Sequence, residues 1–256
     1  MSEENQVTES SMQGTSLEEI YARYSRTRPG ISAINGPDKL ISIRKSVFRK
    51  FFLPFLPADK NARILDIGCG YGEFLSFLTQ MGYTQASGID LDPTGLEVAR
   101  NLGVKNVRQA QSLLALREYH EEFDIISAID VLEHVPKARV LEFLGLVHEA
   151  LRPGASFLCQ VPNLAAFYTP LFYMDFTHET PFTAKSLKQA LEIANFGDVR
   201  VYPMGPVVHG LKSAIRASLW WMISSGFRFI QLVESARWDP LDSIFTAAIF
   251  TVAKKR

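Results

Sequence analysis

Short apolar runs alternate with longer amphipathic ones along most of the chain. "RILDI", "QASGID", "NVRQ", "FDIISAI" and "SFLCQVP" have strand length and β-rich composition. Between them "EFLSFLTQM", "PTGLEVARNL" and "KARVLEFLGLVHEAL" repeat their apolar positions at helical spacing. Strand, helix, strand at these lengths predicts parallel pairing through crossover helices, an α/β fold. After Pro162 the alternation loosens into an aromatic loop. A helix, "TAKSLKQALEIANF", and two closing strands, "DVRVYPM" and "IFTAAIFTVAKK", follow.

The rest of the chain frames this core. Residues 1–16 are acidic and polar, which predicts a disordered tail and no signal peptide. Residues 17–57 hold "SLEEIYARYSRTR" and "DKLISIRKSVFRKFFLPFL", two helices apolar on one side and parted by turns at Pro29-Gly30 and Asn35-Gly36-Pro37, which read as an N-terminal cap. Residues 58–203 form the core, 204–243 an insertion far longer than a hairpin needs, and 244–256 the closing strand.

Composition narrows the function classes. Lys and Arg total 27 against 27 Asp and Glu, so no net charge argues for a nucleic-acid partner. Cys69 and Cys159, the two cysteines, lie far apart and lack metal-type spacing, which reads as reduced cytosolic thiols.

The segment "ILDIGCGYGEFLSFL" carries the most chemistry: an apolar strand enters Gly68-Cys69-Gly70-Tyr71-Gly72 and passes directly into a helix. Glycines there let a ligand approach the backbone. Dinucleotide folds prefer G-x-G-x-x-G; here the pattern is D-x-G-x-G-x-G, and Asp66 would repel a pyrophosphate but attract a cationic amine, or else hold the loop. That disfavours an NAD-dependent oxidoreductase. The second strand ends in "GIDLDP", which puts Asp90 where a carboxylate can accept both ribose hydroxyls.

With these features and "FDIISAIDVLEHV" in order over roughly residues 40–165, the chain resembles class I S-adenosylmethionine-dependent methyltransferases. The resemblance implies a Rossmann-like seven-stranded sheet with an N-terminal helical cap and a helical insertion before the last strand. It sets Asp66, Gly68, Cys69 and Gly70 around the methionine moiety, Asp90 and Leu91 at the ribose, and Asp130 among the cofactor contacts. Many relatives carry an acid for the adenine amino group after strand three; this chain reads "RQAQSLL", so Gln111 or Ser112 would substitute. The cap resembles that of methyltransferases of bacterial surface-polysaccharide clusters, including the O-antigen type, which implies that Tyr24 and Arg44 reach the cofactor. A guanidinium can fork onto a carboxylate.

Methyl transfer to an alcohol needs alignment and a base. His134, just past strand four, is one candidate, at near-neutral pKa. Asp130, Glu133 and His134 resemble the E-x-x-E-H metal site of ubiquinone-pathway O-methyltransferases, with the first acid shortened to aspartate. The phrase is common without metal, and no metal is expected. His178, in "MDFTHETPFT", is the preferred base: it would face the transferred methyl with Asp175 and Glu179, a carboxylate beside it would fix its tautomer, and Phe172, Tyr173, Phe176 and Phe182 would wall out water. The plainer alternative is that the threonines of 180–183 cap the next helix and His178 bonds a backbone carbonyl.

Residues 210–233 place Leu211, Ile215, Leu219, Met222, Ile230 and Val233 near helical spacing, with Gly226 interrupting. Such a helix serves as a lid, a homodimer face or a peripheral membrane contact at the inner face of the cell membrane. The expected function is O-methylation of a small-molecule or lipid-linked sugar acceptor in surface-glycan biosynthesis. The rivals are a non-catalytic S-adenosylmethionine-binding module or scaffold, and a ubiquinone-type small-molecule O-methyltransferase.

Overall fold

A computed structural model describes residues 44–167, 171–237 and 239–256. The expectations for the 1–16 tail, for Tyr24 and for the first cap helix lie outside these residues. Seven strands form one sheet: β1 (Ile64–Ile67), β2 (Ala86–Asp90), β3 (Val107–Gln109), β4 (Phe123–Ile129), β5 (Leu151–Pro162), β6 (Phe196–Pro203) and β7 (Ala248–Lys255). Their order is β3-β2-β1-β4-β5-β7-β6. The first five pair in parallel, and β7 runs antiparallel to both β5 and β6. This is the expected seven-stranded Rossmann-like sheet.

Helices cover both faces, which is why β1 is buried at all four positions and not alternating. One face holds α1 (Glu73–Gln80) and α2 (Pro93–Asn101); the other holds α3 (Ser112–Leu116), α4 (Val140–Ala150) and α5 (Ala184–Ile193). The end of the cap packs on the first face. Phe48 and Phe52 are fully buried, with ring centroids 5.1 Å from Phe74 and 4.5 Å from Phe250 respectively. Each such burial is worth about 1.5–3 kcal/mol.

Several boundaries differ from the sequence pattern for local reasons. The cap's second helix ends in a π turn, Phe48–Phe52, and a 3-10 turn, Leu53–Phe55, where Pro54 has no N–H to continue it. "KARVLEFLGLVHEAL" divides into a 3-10 turn at Lys137–Arg139 and α4, and Leu151 already belongs to β5, paired with Phe123. Within 204–243, α6 (Leu211–Ser235) runs unbroken through Gly226, contrary to the expected interruption. A lone glycine costs a helix only about 1 kcal/mol, too little to end one of this length.

Candidate active site

The glycine loop leaves the C-terminal end of β1 in a left-handed turn. Gly68 has φ +66°, and a Cβ there would lie 2.3 Å from Cγ2 of Val131. No side chain fits, so the backbone itself forms the cleft wall. The Gly68 and Cys69 amides donate to the Ile89 carbonyl at 2.8 and 3.1 Å, and the Gly70 amide donates to Oδ2 of Asp90 at 2.7 Å. Oδ1 of Asp90 accepts from the Asp92 amide at 2.8 Å. Asp90 thus ties the loop to β2 at the edge of the cleft that it lines.

A cleft opens above the ends of β1, β2 and β4. Of the expected cofactor residues, Gly68, Gly70, Asp90, Leu91, Gln111, Ser112 and Asp130 line it, and so does His134. Asp66 and Cys69 do not. Asp66 is buried beneath the loop, where Oδ1 accepts from the Ser127 hydroxyl at 2.7 Å. Burial raises its pKa to about 7; the Ser127 bond opposes the rise, and Glu73 and Asp90 add to it. Its side-chain bond runs to β4, below the loop, and not to the loop's amides. Cys69 turns its sulfur toward β2, 2.8 Å from where a Cβ on Gly88 would stand. Arg44 reaches the cleft through Asp130: its guanidinium donates to Oδ2 at 2.9 Å, while Oδ1 accepts from Gln160 at 2.7 Å. Asp130 holds φ +56°, a strained conformation for a non-glycine residue at a ligand-facing strand end.

The aromatic loop is stapled to the exit of β4. The Glu179 and Thr180 amides donate to the Glu133 carbonyl at 2.8 and 3.0 Å, and the Thr180 hydroxyl donates to the Val135 carbonyl at 2.6 Å. His134 and His178 are thereby brought edge to face, ring centroids 4.6 Å apart. Nδ1 of His178 lies 2.8 Å from the Phe172 carbonyl. Nδ1 of His134 lies 3.3 Å from the Thr177 carbonyl and 2.9 Å from its hydroxyl. A carbonyl only accepts, so both Nδ1 atoms carry the proton and both Nε2 atoms keep a lone pair.

Three expectations need correction here. A backbone carbonyl fixes the His178 tautomer; Asp175 instead accepts from the Thr177 amide and hydroxyl through Oδ1. His134 is not near neutrality: burial first, then the neighbouring His178, lowers its pKa to about 4, with Asp175 opposing. Nor do the aromatics form a wall: Phe176 and Tyr173 face solvent, Phe182 is buried in the core, and only Phe172 stands beside His178, at 5.4 Å. Thr183 does cap α5, in a reciprocal pair with Ser186.

Glu133, absent from the expected catalytic set, is the acid that meets His178, with a carboxylate oxygen 4.0 Å from Nε2. Its ligand atom and those of His134 and His178 lie within 4.8 Å of one another, a donor set that could hold a divalent cation. In the sequence Glu133 stands out only as part of the Asp130, Glu133 and His134 resemblance to a metal site, without His178. Tyr71 and Arg139 also line the cleft and were not foreseen.

Comparison with known proteins places the chain in a family. Residues 40–201 match the family described as "Methyltransferase domain". A ubiquinone biosynthesis O-methyltransferase of Methylobacterium nodulans is 32% identical over 133 residues, 50% of this chain and 52% of that protein. Its counterpart in Xylella fastidiosa is 30% identical over 142 residues, 52% of this chain and 55% of the relative. The chain thus spans about half the length of the curated relatives it matches. Among solved structures, a SAM-dependent methyltransferase from Archaeoglobus fulgidus superposes with a TM-score of 0.63 at 23% identity, covering 84% of this chain and 94% of that one. A Haemonchus contortus phosphoethanolamine N-methyltransferase solved with S-adenosylhomocysteine gives 0.59 at 17% identity, covering 94% and 60%. With the match running through the glycine loop, the cleft and the histidine pair, the chain belongs to the methyltransferase-domain family, the class I fold that takes S-adenosylmethionine as methyl donor.

Proposed function

We propose that the protein is an S-adenosylmethionine-dependent O-methyltransferase acting on a small hydroxyl acceptor. The observation that carries this reading is the buried Glu133 beside His178, on the loop fastened next to the cofactor cleft. When bound, the cofactor supplies a methyl group activated on a sulfonium. The Gly68–Gly70 backbone and Asp90 position it, and Arg44 with Asp130 offers a polar anchor for its amino-acid end. His178 receives the acceptor proton at Nε2, and the Glu133 carboxylate stabilises the imidazolium that results. His134, held uncharged, leaves that proton no competing positive neighbour.

Two acceptor classes follow from different observations. The "DFTHETPFT" loop supports a sugar or lipid-linked sugar in surface-glycan biosynthesis. The names of the curated relatives favour a ubiquinone-type phenol. Incubating the protein with donor and either nucleotide sugars, extracted glycolipids or polyprenyl phenols, then searching by mass spectrometry for a methylene's gain in mass, separates them. Donor binding with no methylated product from any class would favour a non-catalytic binding module.

A further inference from the structure

Helix α6 packs against the body with the side opposite to the one expected of an amphipathic helix. Its inward stripe is Ser213, Ala217, Trp220, Ser224, Arg228 and Gln231. Ser213 and Ser224 are buried, and Gln231 bonds the Asp242 carbonyl and the Ser243 hydroxyl. The opposite stripe is Leu211, Ile215, Met222, Phe229 and Val233, at spacings of four and seven, and every one of them is largely exposed. Helices on soluble bodies turn their large apolar residues inward; here Trp220 and Phe227, whose ring lies against Phe167, are the large apolar residues of that side, and the rest of it is small or polar. The exposed stripe runs about 33 Å at 1.5 Å per residue, too long and continuous to be incidental.

Charge indicates what covers it. Residues 211–237 carry Lys212, Arg216, Arg228 and Arg237 against the single acid Glu234, in a chain whose totals of 27 basic and 27 acidic residues balance. Lys212 and Arg216 are exposed along one border of the stripe, and Trp221 is exposed on the other side of the helix. Cations and a tryptophan flanking an apolar stripe match the headgroup boundary of an anionic bilayer. A second copy would instead set one cationic helix against another. No helix among the described residues is long and apolar enough to cross a membrane. We propose that α6 lies in the plane of an anionic lipid surface, its outward stripe at the acyl boundary and Lys212 and Arg216 on the headgroups.

The test is co-sedimentation of the full chain with vesicles of phosphatidylcholine alone or with about a third phosphatidylglycerol, at about 0.1 M and 0.5 M salt. Wild type should bind the anionic vesicles several-fold better than the neutral ones and lose that preference at high salt. The double variant Met222→Glu, Phe229→Glu should bind at least about tenfold less, while keeping the wild-type melting temperature and donor affinity. Failure of wild type to bind, or equal binding by the variant, would overturn the proposal. So would a wild-type dimer that the same two substitutions split without any vesicle binding, since a second copy would then cover the face.

Discussion

Nε2 of His178 stands 4.0 Å from a carboxylate oxygen of Glu133, and both side chains are buried. With Nδ1 of His178 donating to the Phe172 carbonyl, Nε2 is the nitrogen available to take a proton. His178→Ala should lower turnover by about 10² to 10⁴. Donor affinity should stay within about twofold in calorimetry, because neither His178 nor Glu133 lines the cofactor cleft. Glu133→Gln should lose less, since the imidazolium formed on proton transfer then has a neutral amide beside it in place of a carboxylate. Undiminished turnover in both variants would remove the pair from the chemistry.

The same donors, joined by His134, stand close enough to share a cation. In the proposed reaction His178 takes the acceptor proton and the sulfonium leaves as a neutral thioether, so neither partner requires a Lewis acid. Dialysis against a chelator should therefore leave turnover unchanged. Activity lost to the chelator and restored by zinc or magnesium would reassign the three side chains as ligands.

The parallel half of the sheet was legible because β1, β2 and β4 are short runs closed by glycine or aspartate, and the glycine loop because its residues serve backbone conformation, which local sequence encodes. Periodicity showed that α6 has an apolar stripe but not which side meets the body, a choice made by its neighbours. The partner of His178 was likewise hidden. Asp175 is nearby in sequence, whereas Glu133 reaches the site only because the loop amides fasten onto its carbonyl. Asp66 was identifiable as part of the loop, but its depth below the cleft depends on its alignment with Ser127 across β1 and β4.

Gly68→Ala tests the cleft itself. The new methyl would meet Val131 and would hold a left-handed φ that costs roughly 1–2 kcal/mol for a side-chain-bearing residue. Donor binding should fall below detection in calorimetry, and the melting temperature should drop. Adding Val131→Ala should recover part of the stability, the steric part, because the backbone strain remains. Full donor affinity in the single variant would show that the loop does not contact the ligand.

Arg44→Ala removes the partner of Asp130 and the one described guanidinium that reaches the cleft through an acid lining it. Its loss should weaken donor binding by about 10- to 100-fold, the range expected for a charge-assisted contact. Arg44→Lys should recover only part, since an ammonium cannot fork. The check is a titration of both variants; equal affinity across all three proteins would confine Arg44 to a structural ion pair.

Asp66 predicts a pH dependence of stability opposite to that of most carboxylates. Its pKa is about 7 when folded, against an unfolded value of 3.8. Between these values the folded state holds the proton and the unfolded state has lost it. Stability from this group is therefore full below about pH 4, falls as pH rises toward 7, and levels off above, with a slope of at most about 1.4 kcal/mol per pH unit. Asp66→Asn keeps the shape and cannot ionise. The melting temperature of the variant relative to wild type should accordingly climb from pH 4 to pH 7 and then stay constant. His134 contributes the reverse trend between about 4 and 6.5, the stability it adds being lost as pH falls, but it does so in both proteins and cancels in the difference. A melting-temperature difference that did not vary with pH would mean that Asp66 ionises beneath the loop as readily as in the unfolded chain.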